Sequence, residues 1–103
     1  MKLGCDALRY VNGGKPVRKV CVGGGSCAGY LAQAAAHGFD TFVTADVKYN
    51  QFRTAYELGI NLIDAGHFHT ENPAVFILAQ KLRSAFPETQ VIFSSHFEVM
   101  RFY

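Results

Sequence analysis

NLIDAGHFHTENPA, residues 61–74, is the stretch that decides the fold. Asn61-Leu-Ile-Asp64 reads as a short buried strand, and Thr70-Glu-Asn-Pro-Ala74 opens the longest amphipathic helix in the chain. A strand end that turns through Gly66 into a helix start gathers Asp64, His67, His69 and Glu71 into a small volume, with His67 and Glu71 four residues apart. Neutral imidazole plus carboxylate is a donor mix that suits zinc, iron or manganese. The same residues also admit a structural reading. Thr70 then serves as an N-cap, Glu71 favours the positive helix terminus, and the two histidines are surface or hydrogen-bonded loop residues.

Working outward, Tyr49 to Leu58 reads as a helix with Phe52, Ala55 and Tyr56 on one face and Gly59 as its stop, and Thr41 to Ala45 as a buried strand. Cys27 to His37 has the small, helix-favouring composition of a helix packed close to a sheet, closed by Gly38. Ala7 to Val11 and Val17 to Val22 are β-rich, and Asn12-Gly13-Gly14 between them is a turn signal, so the chain is expected to open with an antiparallel β-hairpin. Downstream, Val75, Leu78, Ala79, Leu82 and Ala85 recur at helical spacing from Glu71 to Phe86, with Pro87 marking the end. Val91 to Ser94 reads as a last buried strand, and His96 to Tyr103 as an edge strand or a loosely held tail. This alternation is α/β: a mostly parallel sheet with helices packed against it, in a single domain spanning residues 1–103. In such sheets ligands bind at the carboxyl ends of the strands. Gly23 to Ser26, Asp46 with Lys48, Asp64 with His67, and Ser95 with His96 all fall on that rim.

Composition narrows the function classes. The chain has 103 residues, half of them hydrophobic and 17% charged, which is rich in apolar surface for so small a body and points to cover by another subunit or segment. A net charge of +2, with ten Lys and Arg scattered rather than clustered, does not support nucleic-acid binding. Three cysteines without a CxxC pair favour buried thiols in a reducing, cytoplasmic setting. No apolar run has the length of a membrane span, and the N-terminus lacks the pattern of a signal peptide.

Two further constellations carry chemistry. Gly24-Gly25-Ser26 lies in a strand-to-helix turn able to cradle a phosphate, although GGGSCAG matches neither the GxGxxG spacing nor a P-loop; close packing of the following helix accounts for the glycines equally well. TADVKYN, residues 44–50, puts Asp46 and Lys48 at a strand end, where they can position a substrate or hydrogen-bond a metal-bound water, or serve as an N-cap and a solvated lysine. His37 reads as a helix-terminal histidine. No Ser-His-Asp arrangement is present, and the catalytic residue itself is unassigned.

Taken together, VCVGGGSCAGYLAQAAAHGFDTFVTADVKYNQFRTAYELGINLIDAGHFHTENP resembles the second half of the Nif-three-like family, dinuclear metal-centre proteins often labelled GTP cyclohydrolase 1 type 2 homologues. The resemblance is carried by Val20 to Ser26, TADVKYN and DAGHFHTE, in the same order and at compatible separations; DAGHFHTE is the most specific. It implies that His67 and Glu71 are metal ligands in a site holding two divalent ions (zinc, iron or manganese). The remaining ligands would come from the family's first half, which has no counterpart here. It also implies a homo-oligomer similar to the family's toroidal hexamers. Ala45 stands where the family usually has glycine, and Asn50 where it usually has histidine. The expected function is metal-assisted hydrolysis of a nucleotide or related small molecule, with Asp46, Lys48 and His96 beside the metal or on the substrate. The alternative is a non-catalytic interaction or regulatory module whose metal, if any, is structural.

Overall fold

The computed structural model describes residues 3–103. Its elements are β1 (Arg9–Val11), β2 (Val20–Val22), a 3-10 turn (Ala28–Tyr30) running into α1 (Leu31–Ala36), β3 (Thr41–Thr44), α2 (Tyr49–Leu58), β4 (Asn61–Asp64) and α3 (His67–Ala85). The four strands form one sheet in the order β1-β4-β3-β2. β2, β3 and β4 run parallel and β1 is antiparallel to β4. The α/β class and the mostly parallel sheet are therefore as the sequence predicts.

The opening hairpin does not form. β1 pairs with β4, Tyr10 opposite Ile63, while β2 lies at the far edge against β3. The reason lies in Asn61. Its side chain accepts the Gly13 N–H (2.8 Å) and donates to the Lys15 carbonyl (3.0 Å), so the Asn12-Gly13-Gly14 turn is bound to the start of β4. A Cβ on Gly13 would overlap the backbone of Ile60, which is why glycine is needed there. The turn thus carries the chain across the sheet instead of folding it back on β1.

Period-two alternation divides the sheet into two faces. Val11, Cys21, Phe42 and Leu62 face α1 and α2 and pack with Leu31, Ala34, Val47, Ala55 and Ile60. Leu62, Ile60 and Ala55 are fully buried there; each buried aliphatic side chain contributes about 1.5–3 kcal/mol. α2 stops at Gly59, whose left-handed backbone (φ +65) closes the helix and returns the chain into β4. On the opposite face, Tyr10, Ile63, Val43 and Val22 form a row across all four strands, with Tyr10 and Val22 about 70% exposed.

Two other expectations are corrected. α3 starts at His67 rather than Glu71, because Gly66 (φ +82) is its N-cap and the Thr70 N–H reaches back to the Gly66 carbonyl (3.1 Å). The helix also leaves the body of the protein: of its apolar positions only Ala79 is buried, while Phe76, Ile77 and Leu78 are at least half exposed. A helix of 19 residues reaches about 28 Å, so Cα extents of 53 × 35 × 21 Å follow directly. For the same reason Val91 to Ser94 is not a strand. After α3 the chain turns back and runs along the helix instead of joining the sheet. Phe93 lies beside Phe76 (5.3 Å between centroids) and beneath the Arg83 guanidinium, which also donates to the Val91 carbonyl (2.9 Å). No described helix is long and apolar enough to cross a membrane.

Candidate metal centre

The β4–α3 turn delivers His67 as the first residue of a helix, which puts Glu71 one turn on and on the same face. His67 Nε2 lies 3.2 Å from Glu71 Oε2, and His67 Nδ1 lies 2.5 Å from Asp46 Oδ2. Asp46 comes from the loop between β3 and α2. It is the one non-glycine residue with a left-handed backbone among the described residues (φ +53), a conformation that Asp tolerates better than most. The arrangement has a clear polarity: Asp46 accepts the Nδ1 proton, which leaves Nε2 as the donor atom facing Glu71. Two ligands each about 2.0–2.1 Å from one cation stand about 2.9–3.4 Å apart, so the Nε2 and Oε2 spacing fits a shared divalent ion.

Asp46, by accepting its hydrogen bond, raises the His67 pKa most; partial burial works against this, and the Glu71 charge adds to the rise. All three side chains are about half exposed, so the outer side of the pair is open to further donors or to substrate.

Behind this pair is a buried strut that sequence reading treated only as a further donor. Asp64, at the end of β4, accepts the N–H of Val47 (3.0 Å) and of Gly66 (3.1 Å) and is paired with the guanidinium of Arg9, which also donates to the Val47 carbonyl (3.0 Å). One carboxylate thereby ties the loop carrying Asp46 to the turn carrying His67. Burial alone would push the Asp64 carboxyl up, but the Val47 and Gly66 amides and the Arg9 guanidinium outweigh it and hold it below its ordinary value.

The glycine-rich loop sits against the pair. Gly25 (φ +66) is buried, and a Cβ on it would collide with Glu71 Oε1 and come within 3.1 Å of His67 Nε2. Its N–H donates to Thr70 Oγ1 (2.9 Å), and the Cys27 N–H to Thr44 Oγ1 (3.0 Å). Of the Gly24-Gly25-Ser26 cradle the Gly25 amide is thus engaged within the protein, as is the Cys27 amide that follows it; Gly24 and Ser26 are exposed beside them.

The other sequence candidates separate. His69 turns away from His67 toward Glu98 (4.0 Å) and stacks edge-on with Phe68. Lys48 is the exposed N-cap of α2, its N–H held by Gln51 Oε1 (2.8 Å). His96 is not at a strand end: Nε2 meets Asn72 Oδ1 (2.6 Å) and Nδ1 the Ser94 carbonyl (2.9 Å), on the surface of α3. Among the described residues no group of three His, Cys, Asp or Glu side chains converges on one cation position. Arg9 is the participant that sequence reading missed, and Thr70, read there as an N-cap, instead accepts the Gly25 N–H with its hydroxyl. Their partners lie 55 and 45 residues away, and no local pattern marks them.

A family profile described as Duf34/NIF3 (NGG1p interacting factor 3) matches residues 1–98, nearly the whole chain. The chain belongs to the DUF34/NIF3 family. Among DUF34/NIF3 relatives, a protein of Nostoc sp. named GTP cyclohydrolase 1 type 2 homolog is 44% identical over 68 residues, covering 66% of this chain and 26% of that protein. A protein of the same name from Deinococcus radiodurans is 41% identical over 75 residues, covering 72% and 28%. Of the solved DUF34/NIF3-like structures, the Bacillus cereus protein related to NIF3 superposes with a TM-score of 0.75 at 30% identity over 98% of this chain and 29% of its own. TTHA1606 from Thermus thermophilus gives 0.75 at 33% over 90% and 37%. The chain thus spans about a quarter to a third of the length of these relatives.

Proposed function

We propose that this chain supplies His67 and Glu71 to a two-metal centre of the NIF3 type, which hydrolyses a nucleotide or related small molecule, and that the remaining ligands come from outside these residues. The observation that carries the reading is the pairing of His67 Nε2 with Glu71 Oε2 at 3.2 Å while Nδ1 is held by Asp46. A divalent cation (zinc, iron or manganese) supplies Lewis-acid polarisation and an activated water at neutral pH. The chain's own part is to present Nε2 unprotonated, to keep the imidazole plane fixed through Asp46, and to hold both loops in register through Asp64. Lys48, exposed beside the rim, is the cation available to an anionic substrate. The name borne by the relatives, GTP cyclohydrolase 1 type 2 homolog, supports a purine nucleotide as the first substrate to try. Three free cysteines suit a reducing, cytoplasmic location, and the exposed apolar surface suits a homo-oligomer.

Calorimetric titration with Zn²⁺ and Mn²⁺ tests the reading. Two protein donors leave most of the coordination shell to water, so the chain is expected to bind in the weak range and to lose binding in His67→Ala and Glu71→Ala. Unchanged binding in both variants refutes it. A second reading, a non-catalytic interaction module, is favoured by the apolar row Tyr10, Ile63, Val43 and Val22, exposed at its two ends, Tyr10 and Val22. GTP turnover by the metal-loaded protein that is lost in Glu71→Ala decides for the enzyme.

A further inference from the structure

We propose that two copies of this chain associate through the free edge of β2, pairing antiparallel about a twofold axis at Cys21 to make one continuous eight-stranded sheet. The inference deepens the homo-oligomer reading by naming its interface, and it begins from the hydrogen bonds that β2 already makes. β3 engages the Lys19 carbonyl and the Gly23 N–H. In a parallel ladder the alternate residues then turn outward, so Val20 and Val22 present their N–H and C=O groups to the open edge. The other sheet edge is less accessible: Met100 and Phe102 of the tail lie with Ala7, Leu8 and Arg9 around one small cavity at the start of β1. Within Val20–Val22 there is no proline, charge or bulge, the devices that normally blunt an edge strand.

The free groups are self-complementary. With Cys21 on the axis, Val20 of one copy stands opposite Val22 of the second, each pair exchanges two hydrogen bonds, and the two Cys21 residues face each other as the non-hydrogen-bonded pair. Val20 and Val22 share the face away from the helices and are 43% and 72% exposed. The four valines of the two copies then form a β-branched cross-strand cluster. Charge permits the same register. Lys19 falls opposite Gly23 and Arg18 opposite Gly24 of the second copy, so no like charges are juxtaposed. On the helix side, Cys21 lines an open cleft of about 360 Å³ with Tyr30, Ala34 and Phe42; the clefts of the two copies meet at the axis, which gives each an apolar wall to cover.

The register makes a specific chemical prediction. Opposed residues in a non-hydrogen-bonded pair have Cα atoms about 4.5 Å apart, inside the range a disulfide spans. In a Cys5→Ser/Cys27→Ser background, diamide should join two chains through Cys21. One S–S bond forms as the two thiols pass two protons and two electrons to the diamide, which becomes its hydrazine. Sedimentation from about 10 µM to about 1 mM should show a monomer–dimer equilibrium. Val22→Pro removes only an outward N–H, so it should abolish both dimer and cross-link with the far-ultraviolet circular dichroism unchanged. Val22→Lys, which charges the exposed valine cluster, gives the same test should the proline variant fail to fold. A dimer that survives both substitutions without a Cys21 cross-link overturns this interface and leaves self-association standing; a monomer at every concentration overturns both.

Discussion

Replacing Asp64 by asparagine tests how the site is assembled. The carboxylate accepts two backbone N–H groups, from Val47 and Gly66, and pairs with Arg9 at a position only 6% exposed. An amide keeps one oxygen: if that oxygen holds the Val47 N–H and the Arg9 guanidinium, the NH₂ group faces the Gly66 N–H, and if it holds the Gly66 N–H, the NH₂ group faces both of the others, donor against donor in either case. One buried N–H left unpaired costs about 1–3 kcal/mol. The lost charge on the Arg9 pair adds less, because the arginine side chain is 62% exposed and its ion pair is screened. The expected destabilisation is about 2–3 kcal/mol, a fall in melting temperature of about 10–20 °C for a chain of this length. The wild type carries a matching acid limb. A carboxyl held below its ordinary value contributes stability that is present above the unfolded pKa of about 3.9 and is lost as pH falls through the lower folded value. Thermal melts by circular dichroism from neutral pH down to about pH 2.5 read both effects, and in Asp64→Asn the limb should flatten. A variant melting within about 2 °C of wild type at neutral pH, with the acid limb intact, would refute the strut.

Three other outcomes follow from the same geometry. Asp46→Ala should return the His67 pKa, followed by its imidazole proton resonances, toward 6.5, because the accepted hydrogen bond is the main cause of its rise; an unmoved pKa would assign the shift to Glu71. Zn²⁺ affinity should rise with pH up to and through the raised His67 pKa, since the cation displaces a proton, and calorimetry in buffers of different ionisation enthalpy should show that proton released. Gly25→Ala forces a side chain into a left-handed backbone and against Glu71, so it should cost about 1–3 kcal/mol in chemical denaturation and weaken Zn²⁺ binding, whereas Gly29→Ala, with open space around it, should do neither.

The sequence alone determined what depends on neighbours along the chain. The period of Thr41 to Thr44 and Tyr49 to Leu58, the glycine stop at Gly59 and the α/β alternation are local patterns, and they appear in the structure within a residue or two. The turn at Gly66 was enough to bring His67 and Glu71 together, but the reason they share a face, four residues making about one helical turn, appeared only when α3 was found to start at His67 rather than Glu71. Tertiary structure decided everything set by partners distant in the chain. A turn signal such as Asn12-Gly13-Gly14 specifies a reversal, but the side chain of Asn61 selects which strand β1 pairs with. Helical spacing from Val75 to Ala85 specifies an apolar stripe, but not whether anything packs on it, and α3 stands largely uncovered. Asp64 looked like a ligand by residue type and is a strut by position, because the amides of Val47 and Gly66 and the guanidinium of Arg9 reach it first.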